Sequence, residues 1–154
     1  MFLPAADIPR FVGEGRVDLG ITGRDQVAEA HVDVQELLEL GFGRCKLQVQ
    51  VPEKGDITEP SQLIGRNIVT SFTLLASEYF ARLEEQSRGD KAVEARAKAE
   101  TLDLNALGPI ARPVSRTGKV EGIETRIKYV GGSVEAACAL GVADGIVDLV
   151  GEFP

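Results

Sequence analysis

Asp144 and Asp148 stand four residues apart in "ADGIVDLV", so in an extended strand they share one face with Ile146. An aspartate inside so apolar a run is costly to bury alone. It should hold a donor partner or stand at a strand end facing a polar ligand. Three other stretches suit the same kind of ligand. In "DLGITGRD", Gly20 and Gly23 allow close backbone approach, while Thr22 and Asp25 offer side-chain hydrogen bonds. The same residues also suit a tight turn in which Asp25 caps the next helix. In "TSF", Thr70 and Ser71 end a strand just before a helix, where hydroxyls and N–H groups can meet an anion or simply cap the helix. In "GGSVEA", Gly131, Gly132 and Ser133 can form a nest of N–H donors, and Glu135 falls in the first helical turn, where the dipole favours a carboxylate. Lys46, in "GFGRCKLQVQV", can meet a phosphate or lie along the surface with its head in water.

These groups bind and orient; none is an evident nucleophile. The sequence holds no G-x-x-x-x-G-K-[ST] loop, no G-x-G-x-x-G before a helix and no nucleophile elbow. His31 is the only histidine, which argues against His-dependent chemistry. Cys45 and Cys138 lie far apart and in no metal spacing, as expected of reduced, packed thiols in a cytoplasmic protein.

The elements that must position these residues follow from periodicity. The chain has 154 residues, 44% hydrophobic and only 5% aromatic, without Trp, a composition suited to α/β packing. A net charge of −7 gives no footprint for nucleic acid or an anionic membrane, and no run is long enough to span a bilayer. Asp7 and Pro9 predict the start of a short helix, with Phe11 and Val12 inward. "RVDLGI" predicts a strand, "RDQVAEAH" a second helix, and Cys45–Val51 a longer strand closed by Pro52. A fresh unit then begins with a brief helix from Thr58 and Pro60 to Gly65 and the strand "RNIVTSF". Phe72, Leu75, Ala76, Tyr79, Phe80 and Leu83 recur at helical spacing. The charged, then Pro/Gly-broken stretch from about 82 to 124 predicts a surface insertion. "TRIKYV", a Ser133-capped helix ending at Gly141, and the buried strand "GIVDLV" complete the pattern. Strand–helix alternation favours a mostly parallel sheet, whose ligands gather at the C-terminal strand ends.

In this order, "DIPRFVGEGRVDLGITGRDQV", "LGFGRCKLQVQVP", "IGRNIVTSF" followed by "YF", and "GGSVEAACALGVADGIVDLV" resemble the ATP phosphoribosyltransferase family, its fungal form most closely. The resemblance implies an α/β fold of two lobes like type II periplasmic binding proteins, with 1–50 a partial first lobe and 51–154 the second. It implies transfer of phosphoribosyl from phosphoribosyl pyrophosphate to N1 of ATP, with Mg²⁺ assistance, as the first step of histidine biosynthesis. It places Asp18 to Asp25 toward the nucleotide and Asp144 and Asp148 toward ribose hydroxyls and metal. Thr70, Ser71, Gly132, Ser133 and Glu135 would line the same cleft, and Lys46 would help position substrate. A homo-oligomer is implied for the full-length family.

Several departures qualify what is expected. Gly151 to Pro154 do not match the family's Thr/Ser-Gly-x-Thr-Leu phosphate cradle, and Gly131 and Gly145 stand where the family usually has serine and alanine. The family's first strand–helix unit and its histidine-sensing domain have no counterpart in these residues. The expectation is therefore no turnover by the 154-residue chain alone and no response to histidine. A non-catalytic nucleotide- or phosphate-binding module is the alternative.

Overall fold

A computed structural model describes residues 1–90 and 122–151, and the chain divides into two units, Met1–Arg44 together with the chain from Gly151, and Cys45–Val150. Most of the expected surface insertion at 82–124 lies outside the described residues.

The first unit holds two helices, α1 (Ile8–Gly13) and α2 (Arg24–Ala30). Pro9 occupies the first turn of α1, where its missing N–H has no cost, and is buried. Asp7 precedes the helix but makes no capping bond, because its own backbone is already helical (φ −85, ψ −27) and not in the extended region an N-cap uses. The strand expected at 16–21 does not form. The amides of Arg16 and Val17 both donate to the Phe11 carbonyl, at 2.9 and 3.3 Å, and this unit has no strand among its described residues to complete a ladder. Leu19 and Ile21, alternate residues of that run, are consequently exposed. α2 ends at His31, whose φ of 49 is the left-handed conformation that closes many helices. The Arg24 guanidinium grips Glu36 through two bonds of 2.7 and 2.6 Å, tethering α2 to the irregular segment that follows.

The second unit is built on a sheet of β1 (Cys45–Gln50), β2 (Asn67–Thr70), β3 (Arg126–Tyr129) and β4 (Gly145–Gly151), in the order β1-β4-β2-β3. β2 runs parallel to both β3 and β4. "GIVDLV" is interior, as its continuous apolar run predicts. The opposite faces of the sheet receive different elements. Val69 and its register partner Ile146 pack with Val134 and Ala137 around α4 (Ala136–Ala139). The other face carries Gly145 beneath Leu63, which belongs to a short 3-10 helix, Pro60–Leu63. A β-carbon on Gly145 would stand 3.2 Å from that leucine. The 3-10 helix in turn contacts α3 (Thr73–Asp90), which places α3 on this second face. α3 buries Leu74, Leu75, Ala76, Phe80 and Ala81, close to the stripe its spacing predicts.

Candidate functional site

The connection after β2 runs through α3 on one face, and the connection after β3 runs through α4 on the other. Such a reversal opens a crevice at the C-terminal ends of the strands, where open α/β sheets bind ligands. Thr70, Tyr129 and Val147 are level with one another in the register. Ser71, Val130 and Asp148 each lie one residue beyond, and Gly131 to Ser133 follow. The structure therefore gathers Thr70, Ser71, Gly132, Ser133, Glu135 and Asp148 at this edge.

Their roles differ in detail. Thr70 is fully buried. Its hydroxyl donates to the Val147 carbonyl at 2.7 Å and accepts from the Phe72 amide at 2.9 Å, so it joins β2 to β4 and opens α3. Ser71 is half-buried at the head of α3 and carries the hydroxyl that remains at the edge. Gly132 has φ 121, a conformation only glycine adopts without strain, and Ser133 follows at φ 48. Ser133 is thus a left-handed turn residue and not the side-chain cap expected of it; its carbonyl accepts from the Ala136 amide at 3.1 Å. Glu135 precedes α4, exposed and without a capping bond. Tyr129 folds over Gly131, where an added β-carbon would lie 3.0 Å from the phenol oxygen. Asp148 is half-buried, and its Oδ1 accepts from the Leu149 amide at 2.8 Å.

Asp144 is not part of this cluster. It precedes β4, and its backbone N–H donates to Asn67 O at 2.8 Å. Its Oδ2 accepts from the Asn67 amide at 2.9 Å, and Arg66 lies 3.5 Å from its Oδ1. Asn67 begins β2, so Asp144 sits at the N-terminal edge, about 13 Å from Asp148 at ~3.3 Å per residue. The four-residue spacing correctly gives one face but says nothing of which end meets a ligand. The Asn67 amide holds the Asp144 carboxyl below the usual carboxylate range; partial burial opposes this and Arg66 adds to it. Asp144 is also a secondary cause, after burial itself, of the raised pKa of the Cys138 thiol.

In the first unit, Gly20 lies against α1, and any side chain there would collide with Ile8 and press on Val12 at 3.1 Å. Thr22 donates to the Ala5 carbonyl at 3.0 Å. Gly23 is the N-cap of α2, extended at ψ 148, and Asp25 is buried in the first turn with Oδ2 accepting from Gln26 at 2.7 Å. The turn is thus held by packing and by the Thr22 bond; Asp25 lies inside the first turn and makes no capping bond, and Asp18 is exposed. Lys46 is exposed on β1, an edge strand of the sheet.

One residue at the heart of the second unit is missing from the sequence reading. Glu84 is 4% exposed, and its carboxylate accepts from the amides of Glu124 and Thr125 and from the Thr125 hydroxyl. Its signal was its phase: it falls four residues after Phe80 and eight after Ala76, on the buried stripe of α3.

Among the described residues, no cluster of three or more His, Cys, Asp or Glu is placed to hold a metal, and no helix is long and apolar enough to cross a membrane.

A family model described as ATP phosphoribosyltransferase, HisG, matches residues 4–152. An ATP phosphoribosyltransferase of Yarrowia lipolytica is 59% identical over 150 residues, covering 97% of this chain and 40% of the relative. The Saccharomyces cerevisiae and Schizosaccharomyces pombe enzymes are 51% and 55% identical, again over 97% of this chain and 40% and 42% of theirs. The chain therefore spans about two-fifths of the length of these curated relatives. In fold, it is similar to an ATP phosphoribosyl transferase (HisG:HisZ) complex from Thermotoga maritima, with a TM-score of 0.63, 19% identity, and coverage of 98% of this chain and 54% of the other. With the family model matching nearly end to end, the chain belongs to the ATP phosphoribosyltransferase family.

Proposed function

We propose that this chain forms part of the catalytic region of an ATP phosphoribosyltransferase. Its two units would correspond to lobes like those of type II periplasmic binding proteins. The reaction joins N1 of the ATP adenine to C1 of phosphoribosyl pyrophosphate as the C1–oxygen bond breaks. Pyrophosphate leaves with the bonding electron pair, and phosphoribosyl-ATP is the product, the first step of histidine biosynthesis. Such chemistry needs orientation of two substrates and stabilisation of a departing polyanion more than it needs a nucleophile.

The observation that carries the reading is the gathering of Ser71, Gly132, Ser133 and Asp148 at the switch-point edge of a chain matched by this family over residues 4–152. There the amides of a glycine turn and the Ser71 hydroxyl would receive phosphate oxygens, and Asp148 would accept from ribose hydroxyls. Glu135 flanks the turn. Thr70 acts from behind by fixing β2 to β4. Asp144, at the opposite edge, has a supporting place. In the first unit, Asp18, Gly20, Thr22, Gly23 and Asp25 would present the turn that meets the nucleotide; in the second, Lys46 on β1 would counter a phosphate charge.

Mg²⁺ neutralises pyrophosphate charge when bound, and this ion commonly takes one or two carboxylates, substrate phosphates and water. Among the described residues, Asp148, half-buried at the strand end, and Glu135, exposed beside the glycine turn, are carboxylates that fit this role. Asp144, tied down at the other edge about 13 Å away at ~3.3 Å per residue, is beyond a physiological Debye length of about 8 Å, so it burdens a polyanion little. Association with further copies and a cytoplasmic setting belong to the same proposal.

The test is titration calorimetry of the chain with phosphoribosyl pyrophosphate and Mg²⁺, paired with an absorbance assay for phosphoribosyl-ATP. Saturable binding, weakened roughly tenfold by Asp148→Asn, supports the assignment. Binding without product supports the phosphate-binding module, and absence of both binding and product overturns the proposal.

A further inference from the structure

β3 is the least specified strand of the sheet. It has four residues and a single neighbour, and only Ile127 among its side chains is even half-buried. Register is set where one face of a strand is buried, so one isoleucine is a weak guide. A slip of a single residue would turn Ile127 outward and shift the following turn by about 3.3 Å. No side chain is buried from Arg126 to Ser133; the next is Val134, in the cluster around α4.

A polar lock stands at the entrance of this strand. Glu84 Oε1 accepts from the Thr125 hydroxyl at 2.7 Å, the Thr125 amide at 2.9 Å and the Glu124 amide at 3.0 Å, and Oε2 accepts from the Glu124 amide at 2.9 Å. The Thr125 hydroxyl oxygen in turn accepts from the Gly65 amide at 3.3 Å, just before β2. Glu84 and Thr125 are both buried, so these bonds meet little competition from water. An exposed Arg88–Glu124 ion pair of 2.9 Å covers the outside.

We infer that Glu84 is a positioning residue: its carboxylate sets the register of β3 on β2, and through β3 it sets where Gly131 to Ser133 stand relative to Ser71. The functional consequence rests on reading that edge as the phosphoribosyl pyrophosphate site; the register lock does not. Glutamine at 84 keeps the oxygen that serves three contacts but turns a donor toward the Glu124 amide. Alanine leaves all three donors without their acceptor.

The experiment is amide hydrogen exchange on the full chain carrying Glu84→Ala, Glu84→Gln or Thr125→Val, with phosphoribosyl pyrophosphate and Mg²⁺ affinity measured on each. In Glu84→Ala, the amides of Arg126 to Val130 should lose roughly tenfold or more of their protection, while Ile68 and Ile146 in the inner strands keep theirs. Affinity should weaken roughly fivefold to tenfold, and glutamine should restore most of both. If the alanine chain does not fold, Thr125→Val decides, with a loss of about threefold expected in β3 alone. Unchanged exchange in β3, or a uniform loss across all strands, overturns the inference. If the unmodified chain does not bind the ligand, the functional reading fails and the exchange pattern still decides the register.

Discussion

Replacing Asp144 separates a clasp at the N-terminal edge from a ribose ligand. Asp144→Ala removes the acceptor of the Asn67 amide bond at 2.9 Å and the ion pair to Arg66 at 3.5 Å. The ion pair is partly exposed and contributes at most a few tenths of a kcal/mol. The bond from a backbone amide to a charged acceptor is the larger item, about 1–2 kcal/mol after allowance for the partial exposure of the site. At a urea slope of about 2 kcal/mol/M, the denaturation midpoint should fall by about 0.5–1 M. The Asp144 carboxyl titrates below its ordinary value in the folded chain. Its contribution is therefore fully present above the unfolded pKa and is lost as pH falls from there through the lower folded value. Asp144→Asn should flatten that acid limb and leave the midpoint at pH 7 between the wild type and alanine. Affinity for phosphoribosyl pyrophosphate should change less than twofold to threefold in either variant. A variant with undiminished stability and a tenfold loss of affinity would refute the placement of Asp144 away from the ligand edge.

Four further outcomes are expected. Thr70→Val should lower stability by about 1–3 kcal/mol in urea denaturation, since the Phe72 amide and Val147 carbonyl both lose a buried partner; Thr70→Ser should recover most of it. Ser133→Gly should raise stability by about 0.5–1 kcal/mol in the same assay, because glycine takes φ 48 without strain. Gly20→Ala should cost about 1–3 kcal/mol, as a methyl meets Ile8 and Val12, and the loss should register as reduced helical circular dichroism on mild heating. The Cys138 thiol, raised chiefly by burial and then by the Asp144 charge, should alkylate with iodoacetamide more slowly than a free peptide thiol at pH 8, as followed by mass spectrometry.

Elements whose signals are local or continuous were legible. The apolar run of β4 declared an interior strand, and the stripe from Phe72 to Phe80 declared the buried face of α3. The run at 16–21 alternates as a strand should, yet pairing is non-local, and its unit has no described strand to complete the ladder. Ser133 has the chemistry of a cap, but the turn Gly132 imposes puts it in a left-handed conformation before α4. Asp144 and Asp148 read as an equivalent pair because spacing reveals a face; only the parallel pairing to Asn67 and Thr70 shows that they occupy opposite ends. Glu84 was hidden among the charges of "EEQSRGDK", although its helical phase pointed inward.

Once residue 84 grips 124 and 125, the two ends of the intervening stretch are fixed posts a hydrogen bond apart. The entropic cost of a closed loop grows only by about 0.6 kcal/mol for each doubling of its length. A change in the number of residues between 91 and 121 should therefore add little to the cost of holding 84 against 124 and 125. The same carboxylate that seats a strand also makes its approach a place where length is free to drift.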